Sequence, residues 1–175
     1  TRLDIPFGVY FYSEAVTDEQ ARNEANYVVE LLQGYDPDLP VYLDLEEPKI
    51  SNICTKEDIL RHAKIFCDII EAAGYTAGVY ANQYWWTTYL TDSAYDNWSR
   101  WIAQFNSKLD YWKDYQIWQY DNKGTVPGIT GYVDLNFWYG PLPDEDDEDD
   151  ESKIKEEDEE DGEYTNSSSR KRNRK

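Results

Sequence analysis

Strand-like and helix-like segments alternate along this chain with clear punctuation, and that alternation constrains the fold more than any other feature. PFGVYFY, at residues 6–12, is rich in aromatic and β-branched side chains and reads as a strand. TDEQARNEANYVVELLQG follows. In it Thr17 and Gln20 have the spacing of a capping box, Ala21, Ala25, Val28 and Leu32 share one face, and Gly34 supplies the stop. The turn residues DPDLP lead into VYLDLE at 41–46, and Thr55 with Asp58 opens a second helix that runs through ILRHAKIFCDIIEAAG to Gly74. TAGVYA is the next strand, and a helical stretch around 83–90 precedes WIAQF, YQIWQY and YVDLNFW. Strands that alternate with helices at this spacing predict an α/β fold of parallel units joined by right-handed crossovers.

The second strand carries a cost that needs an explanation. Its apolar run ends in Asp44 and Glu46, with Glu47 and Pro48 behind them, and ionised carboxylates at the end of a buried strand are expensive unless something uses them. Two residues apart on one strand, Asp44 and Glu46 point to the same face, at the C-terminal end where parallel β/α folds gather their working groups. YVDLNFW repeats the device with Asp134 and, two positions on, Asn136. Three carboxylates among many Tyr and Trp residues suit carbohydrate: sugar C–H faces stack on rings, and paired carboxylates cleave glycosidic bonds. The plainer reading, in which each is a loop residue or a helix N-cap, stays open on the residues alone.

Composition narrows the choice. Residues 1–143 hold 21 acidic and 10 basic residues and 27 of the 28 aromatics, enough apolar surface for one folded domain. From Asp144 to Glu163 there are 15 acidic residues against Lys153 and Lys155, and the end is NSSSRKRNRK, so residues 144–175 read as a solvated, disordered acidic tail with a basic terminus. The acidic body argues against nucleic acid as partner of the folded domain, and no apolar run approaches the ~18 residues of a membrane span. Cys54 and Cys67 would lie about 20 Å apart on one helix, too far to pair, and His62, the only histidine, reads as a surface or packing residue. The sequence holds no zinc spacing, no phosphate-binding glycine loop and no dinucleotide fingerprint, which leaves carboxylate chemistry and no expected metal or cofactor.

In this order, PFGVYFYS, VYLDLEE, AGVYAN, WIAQF, YQIWQY and VDLNFW resemble the glycoside hydrolase family 25 lysozymes, over about residues 1–140. The resemblance implies a (β/α) barrel of the modified TIM type that cleaves the β-1,4 bond between N-acetylmuramic acid and N-acetylglucosamine in peptidoglycan, with net retention. It places the general acid on Glu46, its companion on Asp44 and the third carboxylate on Asp134. Tyr12, Tyr80, Trp118 and Tyr120 fall on the sugar-binding aromatics. A negative Asp44 and partial burial are expected to raise the pKa of Glu46. PFGVYFY matches the family's third strand, so the resemblance further implies that N-terminal strand–helix units are missing, and Asp4 is not promoted to the aspartate that ends the family's first strand. It implies a secreted or cell-wall-associated protein. A chitinase-like glycosidase and a non-catalytic glycan-binding remnant are the alternatives.

Overall fold

The computed structural model describes residues 5–140 of the 175-residue chain. The tail expected at 144–175, and Asp4, lie outside these residues. The elements run in the expected order: β1 (Val9–Tyr12), α1 (Asp18–Leu31), β2 (Val41–Asp44), α2 (Pro48–Ile53), α3 (Lys56–Ala72), β3 (Ala77–Asn82), α4 (Gln83–Thr88), a 3-10 turn (Ser93–Asn97), β4 (Ser99–Ala103), β5 (Ile117–Gly124) and β6 (Val133–Trp138).

Both long helices start where their caps say they should. The Thr55 hydroxyl accepts from the Asp58 N–H at 3.1 Å and the Asp58 carboxylate accepts from the Thr55 N–H at 3.0 Å, a complete capping box for α3. At α1 the Thr17 hydroxyl accepts from the Gln20 N–H at 3.2 Å, but the Gln20 side-chain Oε1 accepts from the Val16 N–H instead of closing the box. Gly34 and Gly74 end the helices at φ +86° and +93°, a region that L side chains rarely adopt. The short α2 is not expected from the sequence. Glu47 caps it through the Lys49 N–H at 3.0 Å and Pro48 occupies its first turn, where a missing N–H costs nothing.

The six strands form one sheet in sequence order, β1-β2-β3-β4-β5-β6. The four pairings from β1 to β5 are parallel, whereas β6 returns antiparallel to β5. This last pairing departs from the all-parallel expectation, and residues 104–116 reach β5 without a helix. Among the described strands β1 and β6 are the two edges, so the sheet is an open, partial barrel. It nonetheless curls. Tyr10 on β1 and Trp101 on β4 stand three strands apart, about 14 Å in a flat sheet at ~4.8 Å per strand, yet their ring centroids are 6.1 Å apart.

The alternation of side chains across each strand sorts the core into two layers. Val41, Leu43, Val79 and Ile102 pack against Ala25, Val28, Phe66 and Ile70 of α1 and α3. Tyr42, Tyr80, Ala103 and Ile117 fill the concave side with Trp101 and Trp138. Gly78 makes this side possible, because a Cβ there would sit 2.4 Å from the Tyr42 ring. Cys54 and Cys67 are both free thiols. His62 is buried on α3, with Nε2 at 3.1 Å from Asp18 Oδ1. No helix among the described residues is long and apolar enough to cross a membrane.

Candidate active site

β2 aims its even-numbered side chains at the concave face, so Tyr42 and Asp44 leave the helices behind, and the extended backbone through Leu45 carries Glu46 to the same side. The Leu45 N–H donates to the Tyr80 carbonyl at 2.9 Å, which keeps this segment on β3 beyond the end of β2. Asp44 and Glu46 open into one cleft of ≈ 270 Å³, and Asp134 on β6 reaches the same cleft from across the sheet. The three carboxylates marked in the sequence therefore converge, although β2 and β6 lie four strands apart in sheet order.

The electrostatics differ from the expectation in one respect. Asp44 is 5% exposed, and burial first, then the Glu46 charge, pushes its carboxyl up to about 8. Its Oδ1 is buried without a hydrogen-bond partner among the described residues. Glu46 is also raised, chiefly by burial and further by the Asp134 charge, while the Asn82 amide at 3.4 Å opposes the shift. Asp44 is thus not what lifts Glu46. Burial in one half-dry site lifts both carboxyls, and the Glu46 charge adds to the rise at Asp44. Burial thus favours the protonated form of Asp44 and of Glu46.

The walls bring in some of the expected aromatics and exclude others. Tyr12 lines the cleft and donates to Glu47 Oε2 at 2.7 Å. Tyr80 lines it and donates to Gln119 Oε1 at 3.0 Å. Trp118 and Tyr120 do not face it. They project from the other side of β5, where Tyr120 stacks on Phe137 at 4.5 Å and Trp118 lies 5.7 Å from the same ring, while Trp118 Nε1 donates to the Gln104 carbonyl. The residue between them, Gln119, points inward in their place. Tyr10 and Trp101, unmarked in the sequence, complete the cleft, with Trp101 Nε1 held by Asn136 Oδ1 at 2.9 Å. Strand parity was the available signal: Tyr10 shares a face with Tyr12, and Gln119 opposes its two aromatic neighbours. Among the described residues no group of three or more His, Cys, Asp and Glu side chains is placed to hold a metal ion.

The family model of the glycosyl hydrolases family 25 matches residues 2–129. The chain belongs to this family. A search of curated proteins finds no match. Among solved structures, the modular autolysin LytC from Streptococcus pneumoniae is similar with a TM-score of 0.71 and 28% identity, over 78% of this chain and 35% of that one. The same autolysin has also been solved in complex with a synthetic peptidoglycan ligand, at 27% identity to this chain. A family 25 glycosyl hydrolase from Bacillus anthracis gives a TM-score of 0.62 and 26% identity, over 75% of this chain and 63% of that one. The spore cortex lytic enzyme SleM of Clostridium perfringens shares the fold, with a TM-score of 0.68 at 22% identity, over 77% of this chain and 50% of that one. This family 25 chain therefore spans between about a third and two thirds of the length of these relatives.

Proposed function

We propose that residues 1–143 form a peptidoglycan hydrolase unit that cleaves the β-1,4 bond between N-acetylmuramic acid and N-acetylglucosamine, with Glu46 as general acid. The convergence of Asp44, Glu46 and Asp134 on one aromatic-walled cleft carries this reading, since a glycosidase needs a carboxyl that can give up a proton and burial raises the Glu46 carboxyl from its ordinary value. Family membership and the peptidoglycan ligand bound by the similar autolysin support the substrate class.

In this mechanism Glu46 donates its proton to the glycosidic oxygen as the C1–O bond breaks. The acetamido oxygen of the same sugar bonds to C1 from the opposite face, Asp134 faces the positive charge that develops, and Asp44 lies beside it with its carboxyl favoured in the protonated form. Water then attacks C1 as the bond from the acetamido oxygen to C1 breaks and the free acetamido group is restored, a proton of that water passes to Glu46, and the two inversions leave the configuration retained. Tyr12 and Tyr80 supply the walls that hold the sugar rings. The substrate places the protein outside the cell or at the wall.

Release of reducing ends from purified peptidoglycan by the chain and by Glu46→Gln, with the sugar at each new end identified, tests the reading. Muramic acid ends from the parent, reduced at least about 100-fold in a Glu46→Gln protein with an unchanged far-UV spectrum, are expected. Near-parental activity in the variant would remove Glu46 from the acid role. Glycan binding with no new ends would make the chain a binding module instead.

A further inference from the structure

The cleft does not stop at the carboxylates. On the side of β3 and β4 it continues into a second lobe of ≈ 460 Å³, which shares Glu46, Tyr80, Gln119 and Asp134 with the first. Its wall is built from amides, namely Asn82, Gln83, Gln104, Gln119 and Asn122, with Tyr84 and Phe105 more than half exposed at the rim. No lysine or arginine lines it.

Two of these amides are held in place by a closed circuit. Gln104 Nε2 donates to Gln83 Oε1 at 3.0 Å, Gln83 Nε2 donates to the Asp110 carbonyl at 2.6 Å, and the Asp110 N–H donates to Gln104 Oε1 at 2.7 Å. The Gln104 backbone is fixed as well, its N–H donating to the Gln119 carbonyl at 3.1 Å and its carbonyl accepting from Trp118 Nε1 at 2.9 Å. A primary amide has two N–H groups and two carbonyl lone pairs. The circuit uses one of each on both glutamines. One N–H and one lone pair on each remain, oriented before any ligand arrives, so the ordering cost of binding is already met.

A preset donor beside a preset acceptor is the complement of a secondary amide, which offers a carbonyl and an N–H of its own. A carboxylate fits poorly, because Glu46 and Asp134 share the lobe and no cation offsets them. We propose that this lobe is a specificity subsite for a neutral amide carried by the glycan, with Gln83 and Gln104 as the residues that read it. The inference rests on the proposed function, since it assumes that a glycan occupies the cleft. Two groups on such a glycan have this chemistry, the acetamido group of a sugar and a peptide bond of an attached stem peptide.

Three soluble glycan fragments of equal length separate the cases: N-acetylated without peptides, with neutral hydroxyls in place of the acetamido groups and without peptides, and with the same hydroxyls and with peptides. Binding to the full chain is read by stopped-flow quenching of tryptophan fluorescence, before turnover. The fragment lacking both amides should bind about tenfold more weakly than at least one amide-bearing fragment, and the fragment that binds better identifies the source. Gln104→Ala should erase that preference while leaving affinity for the amide-free fragment within about twofold. Gln83→Ala, at the other glutamine of the circuit, should act in the same direction and serves if Gln104→Ala does not fold. Equal binding of all three fragments to the parent chain, or an equal loss across all three in the variants, overturns the subsite and leaves the glycan cleft standing. Binding of none of them by a chain with a normal thermal transition overturns the glycan reading and this inference together.

Discussion

Asp44 shows how much the site asks of single residues. Burial pushes its carboxyl from the ordinary 3.8 up to about 8. Below pH ~4 the folded and unfolded states are both protonated there, and the group costs nothing. Between pH ~4 and ~8 the unfolded chain releases the proton while the folded chain keeps it, so stability falls across that window and then levels. Asp58 has the opposite sense: hydrogen bonds from the Thr55 backbone and Arg61 hold it at about 2, so its contribution is present above ~4 and is lost as pH falls towards 2. A comparison of two chains that differ only at Asp44 isolates the first effect. Asp44→Asn should be more stable than the parent by roughly 1–3 kcal/mol at pH 8 and indistinguishable from it at pH 4, by urea unfolding. An equal difference at both pH values would assign the change to packing. The same substitution removes one of the three converging carboxylates, so greater stability should come with weaker hydrolysis, the usual trade at a strained site.

Elements were legible to the extent that their causes are local. Thr17, Thr55, Gly34 and Gly74 mark the ends of the two long helices because capping and positive φ depend on a few adjacent residues. Thr55→Ala should therefore lower stability by about 1 kcal/mol, measured by urea unfolding, while activity per folded molecule stays unchanged, because α3 lies on the far side of the sheet from the cleft. A loss of activity without a loss of stability would show that the cap reaches the site. What could not be read was set by pairing partners distant in the chain. The antiparallel return of β6 depends on its register with β5, in which Trp118 meets Phe137 and Gln119 meets Asn136. That register also decides which side of β5 faces the cleft, and it turns Trp118 and Tyr120 away while admitting Gln119. The DxE pair was legible because two carboxylates on one strand share a face in any register. Its partner Asp134 needed the curl of the whole sheet, and the amide lobe needed Gln83, Gln104 and Asp110 to meet across three segments of chain.

At the scale of the molecule the dominant fact is charge. The chain carries a formal net charge of −19, and 15 of its acidic residues fall between Asp144 and Glu163. Bacterial walls that carry anionic polymers present the same sign, so approach to them is opposed over a range set by the screening length, ~30 Å at 0.01 M salt and ~8 Å at 0.15 M. Neutral soluble glycan fragments present no such field. If the proposed hydrolysis is the activity, its rate on intact walls should rise several-fold as ionic strength goes from about 0.01 to about 0.15 M, while its rate on neutral fragments stays within about twofold. The comparison separates encounter from chemistry, because salt reaches the buried carboxyls far less than it reaches the field between two surfaces. A rate on walls that falls with salt would point to attraction instead, and the basic terminus, with Arg170, Lys171, Arg172, Arg174 and Lys175, would be the segment to neutralise next.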